Sequence, residues 1–214
     1  MPALHAVSPL TLITQTSRLS GDAFFQTLTA ALEGGLGQVL VREKTMDSAH
    51  LLAFASRIRN ITRHFQAKLI IHSQADIAKA VGADGVHLSS VDMHEISAIR
   101  QWLNDSDMSI TTACHNATEL KMAERYGADA VYLSPVFTTQ THPDTQPLGL
   151  DRFQKLARST TLPVIALGGI QSENRQQLAD YPVAVIGAIL DAEDPKQNAQ
   201  RLCTTMRQTE RCNL

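Results

Sequence analysis

Two cations follow a short apolar run early in the chain. Arg42 and Lys44 stand in the segment Val41–Lys44, VREK. Residues two apart on an extended chain point to the same side, so both cations can face one site. An arginine fork and a lysine point charge are both suited to phosphate or diphosphate oxygens. The alternative is a surface pair bridged to Glu43 or Asp47 that binds no ligand.

Glycines interrupt two later apolar runs. Gly168 and Gly169 lie in ALGGI (166–170), and Gly187 lies in VIGAI (185–189). Because glycine has no Cβ, the backbone N–H groups at these positions can approach a ligand closely. In barrels of eight β-α units, the loops after strands seven and eight frequently bind phosphate. The pattern predicts a phosphate site. The alternative is a tight turn that requires positive φ, which explains the same glycines without a ligand.

Histidines lie close to the ends of several apolar runs. His72, His115 and His142 are therefore candidates for a general base. Together with His87 and Asp92 they can also be drawn as a metal site, but the chain has no HxH or HExxH spacing, so a dedicated zinc site is disfavoured. His87 stands between two apolar residues and is interpreted as a hydrogen-bonded residue of the core.

The segment LSPVFTTQTHPDTQPLGL, Leu133–Leu150, predicts a long loop after a strand. It contains no apolar residue between Phe137 and Leu148. Ordered loops of this length are uncommon and are usually functional. We therefore expect this loop to close over a site.

Apolar runs and amphipathic segments alternate along the whole chain. The runs predict strands at Pro9–Thr14, Gln38–Arg42, Lys68–His72, Gly85–Leu88, Ser109–Cys114, Ala130–Ser134, Pro163–Leu167 and Val183–Ile186. The amphipathic segments predict helices at Asp22–Leu32, Ser48–Phe65, Ala75–Val81, Met93–Leu103, Ala117–Tyr126, Leu150–Ala157, Ser172–Ala179 and Pro195–Arg207. Asp47 or Ser48 is a candidate N-cap, and Asn116 with Glu119 resembles a capping box.

This alternation predicts parallel β-α units. Eight of them in 214 residues predict a single-domain α/β protein, a (β/α)8 TIM barrel over residues 1–214, with an open doubly wound sheet as the alternative. A faint repeat, VGADGVHLSS (81–90) and YGADAVYLSP (126–135), fits a fold built from one repeated unit. Function in such a barrel belongs at the C-terminal ends of the strands.

Composition excludes several classes of function. The formal net charge is −2 and no Lys/Arg run occurs, which argues against nucleic-acid binding. No apolar segment approaches the roughly 18 residues that span a bilayer, and no basic region precedes the first apolar run as in a signal peptide. The chain has an odd number of cysteines, three, and no CxxC pair: Cys114, Cys203 and Cys212. This pattern is typical of a protein with reduced thiols. We expect a cytoplasmic protein without a membrane partner.

Motifs along nearly the whole chain occur in a characteristic combination: VREK (41–44), GADGVHL (82–88) with Asp92, GADAVYLSPVFTTQTHP (127–143), PLGL (147–150) and LPVIALGGI (162–170). In this combination they resemble the superfamily of thiamine phosphate synthase and its relative TenI, which are small (β/α)8 barrels. The resemblance implies a transferase of thiamine biosynthesis. It would join a pyrimidine methyl diphosphate to a thiazole phosphate and release pyrophosphate with the help of Mg²⁺.

The resemblance also implies roles for individual residues. Arg42 and Lys44 would contact the pyrophosphate, Asp92 would ligate Mg²⁺, and Gly169 would donate its N–H to the thiazole phosphate. The full hypothesis assigns catalysis to Arg42, Lys44, His72 and His142, substrate binding to Thr139, Thr141, Gly168, Gly169, Gly187 and His115, and the metal to Asp92.

The chain also departs from the synthase pattern at several positions. That pattern has Gln, Asn-Asp, Ser, Lys and Ser at the positions of Leu40, His72-Ser73, Ala113, His142 and Gly187. Ser73 removes a carboxylate that would share Mg²⁺ with Asp92. Two alternatives therefore stay open: a non-catalytic or regulatory binder of thiazole phosphate or thiamine phosphate, and a TenI-like tautomerase or isomerase with a histidine base. For the latter, Pro135 replaces the histidine that TenI uses.

The segments LIIH, CHN and THP are most similar to synthase-like domains joined to Nudix hydrolases in some bacteria. The expected partner is a small phosphorylated molecule. The oligomeric state is left open, with a homodimer among the options.

Overall fold

The computed structural model describes residues 7–139 and 146–204, which form a closed barrel of parallel strands. Each strand pairs with the next one in the chain, and β8 closes on β1 through the pairs Leu10–Val183 and Leu12–Val185. The strands are β1 (Leu10–Ile13), β2 (Gln38–Val41), β3 (Lys68–His72), β4 (Gly85–Leu88), β5 (Ser109–Cys114), β6 (Ala130–Leu133), β7 (Val164–Leu167) and β8 (Val183–Val185). The predicted (β/α)8 barrel is confirmed, and the open sheet is excluded.

Helices surround the barrel. They are α1 (Gly21–Glu33), α2 (Ser48–His64), α3 (Ala75–Val81), α4 (Ile96–Leu103), α5 (Ala117–Tyr126), α6 (Leu150–Ala157), α7 (Gly187–Leu190) and α8 (Pro195–Thr204). None of the helices in the described ranges is long and apolar enough to cross a membrane. Most predicted bounds agree within a few residues, and the part of the last predicted helix beyond residue 204 lies outside the described residues.

Two predictions after β7 are wrong. Ser172–Ala179 is not an α-helix but contains a 3-10 turn, Arg175–Leu178. The Arg175 guanidinium is fully buried and donates to the carbonyl oxygens of Leu178 and Tyr181, which holds the chain in this tighter form. Gly187 is not a loop residue either, because it begins α7.

The alternating residues of the strands divide the core into two layers. One row faces the barrel axis and forms a compact cluster of Ile13, Leu40, Ile70, Ala130, Tyr132, Ile165 and Ala184. The opposite row packs against the helices in a larger cluster. Because strand residues alternate in direction, residues in register with the inward row point towards the barrel axis at the C-terminal strand ends as well.

A buried polar network lies inside the barrel. Gln38 donates through Nε2 to Tyr132 Oη (2.8 Å) and to Thr11 Oγ1 (3.1 Å). His87 Nδ1 lies 2.9 Å from Thr111 Oγ1, and the rings of His87 and Tyr132 are 4.6 Å apart. Burial, with the nearby His72 and Arg42, lowers the pKa of His87 to about 3, so its ring is neutral. The interpretation of His87 as a core residue is confirmed.

The two copies of the sequence repeat anchor neighbouring strands in the same way. Asp84 accepts the backbone N–H of Leu69 (2.7 Å) and a guanidinium N–H from α2 (2.7 Å). Asp129 likewise accepts the backbone N–H of Ile110 (2.6 Å) and a guanidinium N–H from α4 (2.8 Å). Both anchors lie at the starts of β3 and β5, opposite the strand ends where function is expected.

Candidate active site

A cavity of about 480 Å³ opens at the C-terminal ends of the strands. Its wall is formed by residues at and beyond the ends of the strands. One part of this wall is apolar, and another part carries polar side chains. The apolar part includes Ile13, Leu40, Ala113, Leu167 and Ile186, and the polar part includes Arg42, Lys44, His72, Ser89, His115, Ser134 and Thr139. We call it the cationic cavity because of Arg42 and Lys44.

The acids near the two cations are engaged elsewhere. The Glu43 carboxylate accepts from Thr16, through the backbone N–H (3.0 Å) and the hydroxyl (2.7 Å). Asp47 caps the N-terminus of α2, as the sequence predicted. Among the described residues, neither Arg42 nor Lys44 forms an ion pair. Both residues line the cavity, and the interpretation as a bridged surface pair is wrong.

His72 lines the cationic cavity together with these two cations. Burial, followed by the charges of Arg42 and Lys44, lowers its pKa to about 4, while Asp92 opposes the change. Its Nδ1 lies 2.8 Å from the Ser73 hydroxyl oxygen. At neutral pH His72 is therefore an uncharged hydrogen-bonding group and a weak base.

His115 is oriented by contacts on both sides. Its Nδ1 lies 2.8 Å from the Ser134 carbonyl oxygen, so Nδ1 must carry the proton and Nε2 is the acceptor of the neutral ring. The backbone N–H of His115 donates to Glu119 Oε2 (2.7 Å). Glu119 and Asn116 form the predicted capping box at the start of α5. The helix start thus holds His115 at the rim of the cationic cavity.

Asp92 follows β4 and accepts a hydrogen bond from the Ser89 hydroxyl (2.5 Å). In the described part of the chain, no group of three or more His, Cys, Asp or Glu side chains is arranged to hold a metal ion. Ser73, at the position where the synthase pattern has a carboxylate, is exposed. Mg²⁺ is usually held by one or two carboxylates together with substrate phosphates and water. Asp92 alone therefore fits Mg²⁺ only when a diphosphate supplies further oxygens.

A second cavity, of about 390 Å³, adjoins the first. It is lined by the three predicted glycines, and we call it the glycine cavity. The two cavities share Thr139, Leu167, Gly168 and Ile186 in their walls. Two ligands bound in them would therefore lie side by side.

The turn at Gly168 and Gly169 requires glycine for backbone reasons as well. Their φ angles are +103° and +66°. A Cβ on Gly168 would lie 2.7 Å from Pro135 Cβ, and a Cβ on Gly169 would overlap the Thr138 carbonyl oxygen. The interpretation as a turn that requires positive φ is therefore confirmed at Gly168 and Gly169, and the phosphate site stays a prediction for the cavity that they line.

Two further residues of the glycine cavity were not found from the sequence. Arg18 Nη1 lies 2.6 Å from Asp191 Oδ2, and both residues line the cavity. The only signal in the sequence was a basic residue in the loop after β1. Its partner stands 173 positions later, where no local pattern points back to it.

Two predicted site residues, Thr141 and His142, lie outside the described residues. Cys114 is buried, and burial raises its pKa to about 12, so its thiol stays protonated at neutral pH and is a poor nucleophile.

The comparisons with known proteins agree with this geometry. The model of the family described as thiamine monophosphate synthase matches residues 10–191. A thiamine-phosphate synthase of Clostridium novyi is 36% identical over 189 residues, covering 86% of this chain and 92% of the relative. One of Ruminiclostridium cellulolyticum is 31% identical over 196 residues, covering 90% and 92%. A solved thiamine phosphate pyrophosphorylase from Pyrococcus furiosus superposes with a TM-score of 0.80 at 29% identity, over 92% of this chain and 94% of that one. The chain, whose barrel carries two adjoining cavities at the expected end, belongs to the thiamine monophosphate synthase family.

Proposed function

We propose that this protein is a thiamine phosphate synthase that couples a pyrimidine methyl diphosphate to a thiazole phosphate. The observation that carries the proposal is the pair of adjoining cavities, one with two cations and the other lined by glycines. A reaction between a diphosphate ester and a phosphate ester needs two such sites in contact. The shared wall at Thr139 and Gly168 meets that requirement.

Arg42 and Lys44 would bind the diphosphate and stabilise it as a leaving group. The bond between the pyrimidine methylene carbon and the diphosphate oxygen breaks, and both bonding electrons leave with pyrophosphate. The thiazole nitrogen then supplies the electron pair of the new carbon–nitrogen bond. Because neither cation is paired with a described acid, their charge is available as negative charge develops on the leaving group.

Asp92 would hold Mg²⁺ together with diphosphate oxygens, and the bound ion would supply further neutralisation of the leaving group. His72, a neutral residue in the wall of the cationic cavity, would orient substrate by hydrogen bonding rather than by charge. His115 would present Nε2 as an acceptor to the substrate. The roles of all three residues belong to the proposal.

In the glycine cavity, the thiazole phosphate would be bound by backbone N–H groups at Gly168, Gly169 and Gly187. Thr139, which lines both cavities, would contact the phosphate or a neighbouring group. Thr141 and His142 would add contacts from the same loop.

The non-catalytic binder is the second candidate because of the substitutions in the cationic cavity. Leu40 and Ala113 line it with apolar atoms, and Ser73 supplies no carboxylate. The tautomerase alternative is weaker with His72 as the base, because its pKa of about 4 makes it a poor base at neutral pH. The closer similarity to Nudix-fused domains, a cytoplasmic location and a homodimer stay predictions.

A coupling assay tests the proposal. Purified protein receives pyrimidine methyl diphosphate, thiazole phosphate and Mg²⁺, and thiamine phosphate formation is followed. We expect turnover, and for Arg42→Gln a loss of roughly 10- to 100-fold in kcat/KM for the diphosphate, because a charged hydrogen bond contributes about 1.5–3 kcal/mol. Ser73→Asp should lower the Mg²⁺ concentration required.

Arg57→Gln is the matched control. Arg57 is on the outer surface, pairs with Asp22 (3.0 Å) and touches neither cavity, so this variant should keep full activity. Absence of turnover in the unmodified protein, with thiazole phosphate still raising the melting temperature, would favour the binder. Equal losses in Arg42→Gln and Arg57→Gln would contradict the role of Arg42.

A further inference from the structure

Arg18 is a cation of the glycine cavity to which the proposed mechanism gives no role. It lies in the loop between β1 and α1, and its side chain is 22% exposed. Nη1 donates to Asp191 Oδ2 (2.6 Å) and Nε donates to Gln15 Oε1 (2.9 Å). These two contacts hold the guanidinium group in one place at the cavity wall.

The guanidinium group lies close to Gly187. A Cβ on Gly187 would lie 3.4 Å from Arg18 Nη1 and 2.6 Å from Asp191 Oδ2. Arg18 is also the only Lys or Arg among the described residues that line this cavity. Of its five N–H donors, two have partners among the described residues, so further donors remain for a ligand.

The partner of Arg18 can be displaced at low cost. Asp191 is 50% exposed, and an ion pair of this kind contributes only about 0.2–1 kcal/mol. A phosphate monoester carries up to about two negative charges and three acceptor oxygens, which suit an arginine fork better than a single carboxylate oxygen does. A monoester in the cavity would therefore compete successfully for the guanidinium group.

We propose that Arg18 is a phosphate-binding residue of the glycine cavity, and that Asp191 is a counter-ion which the phosphate monoester displaces. The chemical class of the ligand follows from the cavity itself, while its identity as thiazole phosphate rests on the proposed function. Asp191 also repels an incoming phosphate, so it weakens binding while it keeps Arg18 in position.

The proposal predicts opposite effects of the two partners, measured by calorimetry with thiazole phosphate at pH 7.5. Arg18→Gln should raise the dissociation constant by roughly 10- to 100-fold, because a charged hydrogen bond is lost. The dissociation constant of Arg18→Lys should lie between those of the unmodified protein and Arg18→Gln, since lysine keeps the charge and loses the fork. Asp191→Asn should lower the dissociation constant by up to about fivefold, because the competing ion pair is removed. In steady-state assays, the KM for thiazole phosphate should follow the same order, whereas the KM for the diphosphate should not change.

Arg57→Gln again serves as the matched control, since it removes an arginine from an exposed ion pair outside both cavities. Circular dichroism and melting temperature verify that each variant is folded. A dissociation constant for Arg18→Gln equal to that of Arg57→Gln overturns the proposal, as does weaker binding in Asp191→Asn. If the unmodified protein binds thiazole phosphate through Arg18 but forms no product, this inference stands and the synthase function fails. If the unmodified protein forms product and the Arg18 variants bind thiazole phosphate equally well, the synthase function stands and this inference fails.

Discussion

At the scale of single residues, Gly168 meets two requirements at one position. Its φ of +103° excludes most side chains, and the missing Cβ leaves room for Pro135 from the loop after β6. The same residue lines both cavities. Backbone conformation and packing therefore both favour glycine at a position where contact with the ligand is proposed.

We expect Gly168→Ala to cost more stability than a change of backbone conformation alone. Its Cβ would meet Pro135 Cβ at 2.7 Å, so the loop must move away from the cavities. The matched control is Gly127→Ala, where φ is +79° and nothing lies within 4 Å of a Cβ. That control should lose about 1 kcal/mol of unfolding free energy from strain, and Gly168→Ala roughly 1–3 kcal/mol more. Urea unfolding measures both, and equal losses would show that the loop accommodates the methyl group.

His72 illustrates how a neighbouring charge changes the role of a residue. Its position near a strand end suggested a catalytic histidine, but burial and the adjacent Arg42 and Lys44 keep it neutral. A neutral imidazole can sit beside two cations without repelling them. This arrangement leaves the positive charge of the cavity to the two residues that are proposed to bind diphosphate.

At the scale of elements, the aspartates of the sequence repeat divide stability from function. Asp84 and Asp129 tie strand starts to the helices outside, at the end of the barrel away from the cavities. The capping box at α5 works at the opposite end, where it holds His115 at the rim. The same kind of local hydrogen bonding thus stabilises the barrel at one end and positions the site at the other.

Asp129→Ala should lower the unfolding free energy by about 1–3 kcal/mol, because the backbone N–H of Ile110 loses its partner. The kcat/KM of the folded protein should stay unchanged, since the anchor lies far from the strand ends that carry the site. Glu33→Ala, which removes an exposed ion pair with Lys196 (2.9 Å), is the control and should cost less than about 1 kcal/mol. A loss of activity without a loss of stability in Asp129→Ala would refute this division.

At the scale of the whole molecule, the buried histidines make stability depend on pH. The pKa values of His72 and His87 are lowered to about 4 and about 3, against about 6.5 in the unfolded chain. Between these values the unfolded state binds more protons than the folded state. The unfolding free energy therefore falls as the pH drops from about 6.5 towards 4, by up to about 1.4 kcal/mol per pH unit for each histidine.

His87→Gln should reduce this slope while keeping a polar side chain near Thr111. Urea unfolding at a series of pH values between 7 and 4 measures the slope, and His94→Gln, on the exposed surface, is the control. An identical slope in His87→Gln and the unmodified protein would mean that His87 does not titrate on unfolding.

Arg175 joins distant parts of the molecule. Its fully buried guanidinium donates to the carbonyl oxygens of Leu178 (2.5 Å), Tyr181 (3.1 Å) and Leu202 (2.8 Å). It therefore connects the segment before β8 to α8. A buried cation whose described partners are backbone carbonyls is not visible in a sequence pattern, which explains why this segment was predicted as an ordinary helix.

The sequence by itself determined the alternation of strands and helices and the caps of α2 and α5. These features depend on residues within a few positions of one another, and local periodicity encodes them. Arg42, Lys44 and the three glycines could be predicted as cavity residues for the same reason, because they follow apolar strands.

Only the tertiary structure decided which of these residues share a cavity and which distant side chains form hydrogen bonds with one another. Gln38 and Tyr132 are 94 positions apart, and Arg18 and Asp191 are 173 apart, yet each pair is in hydrogen-bonding contact. Closure of β8 on β1 brings the loop after β1 next to α7. Contacts of this kind, and the burial that keeps His72 neutral, depend on the closed barrel and not on the spacing of residues along the chain.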